Sequence, residues 1–175
     1  MAALALRVDP IADAGELARF WAKVVKGPGS GDCWLWTGAI SDDDYGRFYL
    51  KREGRARCVR PNRYVLAAVL GMDPANVAVA EHAVCDVPLC VRVAGDATGH
   101  VWPSTQALNL ARMAMRSRGG GPWWNWRWRG GDRASTAARS RALRSAVANG
   151  WDATAVRAVL DAPLPGQGVL QLFDD

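Results

Sequence analysis

Glu81-His82-Ala83-Val84-Cys85-Asp86-Val87-Pro88-Leu89-Cys90, followed by Gly99-His100-Val101-Trp102-Pro103-Ser104-Thr105-Gln106-Ala107-Leu108-Asn109, is the stretch on which the reading of this chain turns. It holds both histidines, His82 and His100, and two of the four cysteines, Cys85 and Cys90. The other two, Cys33 and Cys58, lie upstream. Four cysteines would make two disulfides in a secreted protein. The N-terminus, MAALALRVDP, has no basic segment before an apolar run and no clear cleavage site, so no export signal is expected. A cytoplasmic location keeps thiols reduced, and clustered Cys and His then read as metal ligands.

Upstream, Leu17, Phe20, Trp21, Val24 and Val25 recur at helical spacing and predict an amphipathic helix over 13–26. Asp13 and Glu16 would form its capping box, and Gly27-Pro28-Gly29 would end it. CWLWT (33–37), YGRFYLKR (45–52) and RARCVR (55–60) read as strands, with turns at SDDD (41–44) and REGR (52–55). Trp34 and Trp36 flank a strand and read as core. Pro61 opens a helix that Gly71 stops. Residues 76–84 are β-like, 85–100 form a loop, and Ser104 or Thr105 caps a helix running to about residue 117. Asp132 caps another to Asn149 and Gly150, and Asp152 a short last one over 153–161.

The chain of 175 residues is 50% hydrophobic and 22% charged, a globular composition. No apolar run approaches the roughly 20 residues of a membrane span, which sets membrane functions aside. Only three of its 22 basic residues are lysine, and arginine is the residue that forks onto phosphates. The charge is uneven. Residues 1–111 balance 12 basic against 12 acidic side chains, whereas 112–144 hold nine Arg and one Asp, and 145–175 one Arg and four Asp.

The order of these elements resembles the HNH, or His-Me finger, endonucleases, including the His-Cys box homing branch. Members read as a helix ending in Phe-Trp, then Cys-Trp-x-Trp-x-Gly, Tyr-Gly-Arg, an Arg-bearing helix, a His ahead of a Cys-Asp-x-Pro-x-Cys run, a second His, and an Asn nine residues later. Here these are Phe20-Trp21, Cys33 to Gly38, Tyr45-Gly46-Arg47, the helix with Arg63, His82, Cys85 to Cys90, His100 and Asn109. The resemblance spans about residues 16–118. It implies an α+β fold with a ββα-metal core of short antiparallel strands, a zinc-stabilised loop and a helical C-terminal extension. It also implies phosphodiester hydrolysis in DNA. His82 would be the general base, since an unperturbed imidazole titrates near 6.5. Asn109 would hold a Mg2+-like ion, Glu81 would help as an outer ligand, and Arg47 would clamp the scissile phosphate. Cys33, Cys85, Cys90 and His100 remain as a three-cysteine, one-histidine set for structural Zn2+, or as buried thiols without metal. Cys58 is left over as a small buried hydrophobe. The chain departs from the family in the two residues between His82 and Cys85, where one is usual. It departs also in the longer Cys90–His100 segment, in Val87 where Asn is usual and in Asn62 where His is usual.

A nuclease-like part over 1–118 would then be followed by a Trp/Arg-rich linker and helical extension over 119–175. Arg116, Arg118, Trp124, Trp126, Arg127, Arg129, Arg133 and Arg139 would contact double-stranded DNA, through phosphates and base stacking. Alternatively, the tryptophans pack as a strap while the arginines reach outward. The last two helices read either as a helix-turn-helix or as a basic hairpin covering the nuclease. A homodimer would account for cutting both strands. The alternative to catalysis is a zinc-containing DNA-binding protein on the same fold, and a weaker third is an interaction module that meets protein.

Overall fold

A computed structural model of the chain describes residues 6–73, 77–115 and 133–162. The fold is mixed α+β, with small antiparallel sheets and five helices among these residues. It opens with α1 (Ala14–Trp21), β1 (Val24–Lys26) and β2 (Trp34–Trp36). Then come β3 (Ala39–Ile40), β4 (Gly46–Arg52), β5 (Arg55–Val59) and α2 (Pro61–Leu70). β6 (Val79–His82), β7 (Val101–Ser104) and α3 (Gln106–Met115) follow in a strand-strand-helix order. The described chain ends in α4 (Arg133–Ala146) and α5 (Ala153–Asp161).

The helix read over 13–26 is shorter than its apolar spacing suggested. It stops at Trp21, and Val24 and Val25 enter β1, paired with Trp36 and Leu35 of β2. Two consecutive valines suit either period, and pairing with an aromatic strand decides for the strand. The capping box does not form either. Asp13 makes no side-chain cap, because its carboxylate is taken by the guanidinium of Arg52, which also holds Glu16 Oε1 at 2.7 Å. The other oxygen of Asp13, Oδ2, accepts from Asp9 N at 2.9 Å, so the carboxylate is engaged by Arg52 and the preceding turn rather than by the amides of α1. Where no such competitor exists the cap forms as read: Thr105 Oγ1 accepts from Leu108 N at 3.2 Å, and Asp152 Oδ1 from Ala155 N at 2.9 Å. Gly71 ends α2 at φ 62°, the left-handed conformation that glycine takes without a Cβ clash. Pro103 masks β7 in the sequence; among the described residues the strand pairs with β6 alone in a two-stranded sheet, where a missing amide is tolerated.

The core centres on four rings. Phe20, Trp36, Phe48 and Tyr64 are all 2% exposed or less, with centroids 4.6 to 5.6 Å apart. Tyr-Gly-Arg owes its glycine to this cluster. A Cβ on Gly46 would lie 2.5 Å from Trp36 Cδ1 and 2.8 Å from Pro61 Cγ, so only glycine lets β4 pass over the indole. Trp36 is core, as expected, and its Nε1 donates to Ala39 O. Trp34 is half-buried and is flanked by Lys26 Nζ, 4.5 Å from its centroid. Cys58 is exposed rather than buried, because β5 turns it to the outer face opposite Tyr49.

The C-terminal helices pack as a hairpin, and α4 lies against β2 and β3. Leu143, Val147 and Val156 join the same core cluster as Leu35 and Trp36. Among the described residues no helix is long and apolar enough to cross a membrane.

Candidate functional site

Four segments bring together the cysteine and histidine side chains singled out in the sequence. Cys33 precedes β2, Cys85 follows β6, Cys90 lies on the returning loop, and His100 precedes β7. Backbone bonds set this convergence. The loop pairs with β2 through Trp36 N to Leu89 O and Val91 N to Trp34 O, at 2.9 and 2.8 Å. Ala83 N to His100 O, at 2.8 Å, continues the β6–β7 ladder up to the histidine. Arg92, 8% exposed, pins the strand entrance by donating to Gly29 O and Asp32 O at 2.8 and 2.7 Å.

The four ligand atoms lie within 4.8 Å of one another. His100 Nδ1 is 3.6 Å from both Cys33 Sγ and Cys90 Sγ. Bond lengths of about 2.3 Å to sulfur and 2.0 Å to nitrogen around a tetrahedral ion put S and N about 3.5 Å apart, so the spacing fits. Cys33, Cys90 and His100 are buried and Cys85 is half-buried. Hydrogen bonding to Cys85 pushes the Cys33 thiol up, bonds from Cys33 and Cys90 hold Cys85 far down, and burial pushes Cys90 up. Three thiols and an imidazole converging this closely are the donor set a soft divalent cation would complete. The cluster could hold a metal such as zinc.

Beside it opens a cleft of about 390 Å³. His82, Asn109 and Glu81 line it, with Arg60, Arg63 and Arg112. His82 stands at the end of β6, and its Nε2 lies 3.1 Å from Cys90 O. If Nε2 carries the proton and donates to that carbonyl, Nδ1 holds the lone pair. Burial lowers the imidazole's affinity for a second proton, which favours the neutral form. Cys90 thus serves both features, its thiol in the cluster and its carbonyl on His82. Glu81 is 4% exposed, and its Oε2 accepts from Arg112 Nη1 at 2.7 Å. Asn109 is half-buried on α3, with its Nδ2 on Met113 Sδ at 3.5 Å.

Arg47 does not line the cleft; it donates to Asp43 Oδ2 at 3.1 Å. The cleft's cations are instead Arg60, Arg63 and Arg112, which sequence reasoning left without a role. Arg60 shares Asp43 at 2.8 Å and lies over the Tyr45 ring, 4.1 Å from its centroid. Arg63 donates to Val77 O at 2.8 Å. For two of them the available signal was the helix-opening Pro61, which Arg60 and Arg63 flank in sequence. Arg116, Arg118, Trp124, Trp126, Arg127 and Arg129 lie outside the described residues, as does the side chain of Arg133. Arg139 is half-buried, and its guanidinium donates to Leu160 O across the α4–α5 hairpin. Arg144 likewise donates to Gly38 O at 3.3 Å. Comparison of the chain with protein families, curated proteins and solved structures finds no match.

Proposed function

We propose that this chain is a metal-dependent DNA endonuclease of the His-Me finger type, built on a ββα core formed by β6, β7 and α3. One observation carries the reading. His82 and Asn109, on different elements, line a single cleft with three arginines beside the cysteine cluster. In this reading Cys33, Cys85, Cys90 and His100 hold a structural Zn2+, which ties β2 to the β6–β7 loop.

The chain's own groups divide the work as follows. Arg60, Arg63 and Arg112 offer planar donors to the non-bridging oxygens of a phosphodiester. Nδ1 of His82 accepts a proton from water as the water oxygen bonds to phosphorus and the P–O3′ bond breaks. The Cys90 carbonyl keeps the imidazole in the tautomer and orientation this needs. The buried carboxylate of Glu81 and the amide oxygen of Asn109 are hard donors suited to Mg2+. When bound, that ion neutralises charge on the phosphate and on the leaving oxygen.

The test is nicking of supercoiled plasmid with Mg2+, comparing wild type with His82→Ala. A loss of about a hundredfold or more supports His82 as base. Equal cleavage by both refutes the assignment. A second reading, a zinc-containing DNA-binding protein without catalysis, is favoured by Arg112, whose guanidinium already neutralises the carboxylate next to His82. Salt-sensitive DNA binding with no metal-dependent cleavage would select it.

A further inference from the structure

The β4–β5 ribbon concentrates charge that the balanced total for residues 1–111 conceals. Between residues 46 and 60 there are six basic side chains and one acidic one, Glu53. The pairing register divides them between two faces. Phe48 and Leu50 point inward and are 2% and 4% exposed. Arg52 shares their face and is spent on Asp13 and Glu16. Arg47, Tyr49 and Lys51 alternate to the outer face, where Tyr49 pairs with Cys58 and Lys51 with Ala56. Tyr49 is 61% exposed, a large ring that the core does not use. Among the described residues no ion pair involves Lys51 or Arg55.

The ribbon closes in a tight turn and starts at the cleft. Its two-residue turn puts Glu53 at φ 50° and Gly54 at φ 75°, the paired positive angles of a tight hairpin that continues the strand twist. Its root reaches the cleft, because Arg60 directly follows β5 and lines the cavity that holds His82. From Arg47 to Lys51 the strand rises about 14 Å. That is comparable to the major groove of B-DNA, about 12 Å wide, which admits a two-stranded ribbon.

We propose that this ribbon, through Tyr49 and Lys51 on its outer face and Arg55, which pairs with Arg52 beside the turn, docks its tip on duplex DNA flanking the phosphate held in the cleft. The proposal rests on the nuclease reading above. It adds a second grip, separate from the arginine-rich segment near the C-terminus. Charge complementarity argues for DNA as the occupant: the unpaired groups on the ribbon are cationic, the ring offers a stacking or methyl-contacting surface, and the only acid on the hairpin lies in its turn.

The experiment is an anisotropy titration of the full chain with a labelled duplex of about 30 base pairs across a range of salt. It compares wild type, Lys51→Ala with Arg55→Ala, the conservative pair Lys51→Arg with Arg55→Lys, and Tyr49→Ala. Loss of two phosphate contacts should weaken binding about tenfold or more and lower the log–log salt slope by about 2. The conservative pair should keep the slope. Tyr49→Ala should weaken binding and leave the slope unchanged. A double alanine variant that binds DNA with wild-type affinity and slope overturns the proposal and hands the ribbon to another partner, such as an acidic protein face. If wild type itself does not bind duplex at low salt, the nuclease reading fails and this one fails with it. Circular dichroism and metal content check that each variant is folded.

Discussion

Replacing Cys90 by serine tests the proposed zinc site most directly. Cys90 is 0% exposed and its Sγ sits 3.6 Å from His100 Nδ1, so the serine hydroxyl would stay buried among the other donors while binding zinc far more weakly. The site also joins segments far apart in sequence: Cys33 and His100 are 67 residues apart. Structural zinc in small domains is worth about 10–16 kcal/mol at neutral pH. Shared over four ligands, one ligand contributes about 3–4 kcal/mol, a large part of a typical domain stability of about 5–15 kcal/mol. For a chain of this length 1 kcal/mol moves Tm by about 2–4 °C, so Cys90→Ser should melt roughly 6–16 °C below wild type. Cys58→Ser is the control; Cys58 is exposed and outside the cluster, and its replacement should stay within about 0.5 kcal/mol of wild type. The assay is metal content by mass spectrometry alongside thermal unfolding with and without chelator. One zinc per chain is expected in wild type and in Cys58→Ser, with the chelator lowering Tm in both. A Cys90→Ser protein that keeps one zinc and melts with wild type would refute the argument. So would a metal-free wild type whose Tm ignores the chelator.

Two further outcomes follow from the packing around the cleft. Gly46→Ala forces a methyl group to within 2.5 Å of Trp36 Cδ1, and overpacking of this kind costs about 1–3 kcal/mol; unchanged thermal unfolding would show that the indole moves aside. Asp43→Asn removes the carboxylate shared by Arg47 and Arg60. Burial opposes ionisation of Asp43, but hydrogen bonds from Ser41, Arg60 and Arg47 outweigh it and hold the carboxyl well below the ordinary value of 3.8. A carboxyl lowered in this way stabilises the fold above its unfolded pKa and loses that contribution as pH falls through the folded one. Asp43→Asn should therefore cost about 1 kcal/mol at neutral pH, with the gap to wild type closing only below about pH 4; a gap independent of pH in urea titrations would contradict this.

Much of the chain could be read before any coordinates because its signals are local. Pro61 and Gly71 bound α2, Thr105 and Asp152 cap their helices, and the Glu53-Gly54 turn joins two alternating strands, each within a few residues of chain. The cysteine and histidine set was legible for another reason: so few residue types bind soft metals that two histidines and four cysteines leave few combinations. What could not be read was decided by competition between distant groups. Asp13 makes no cap, its carboxylate being shared between Arg52, on another element, and the amide of Asp9. Val24 and Val25 leave the helical pattern because β2 lies beside them. Arg47 is taken by Asp43, whereas Arg60, Arg63 and Arg112 line the cleft. Residue types and their order thus determined the elements, the candidate ligands and the candidate base. Only the tertiary structure decided which arginines line the cleft, that Cys58 is exposed, and that one residue, Cys90, supplies a thiol to the cluster and a carbonyl to His82. A long charged side chain can reach several partners, and only the packed fold selects among them.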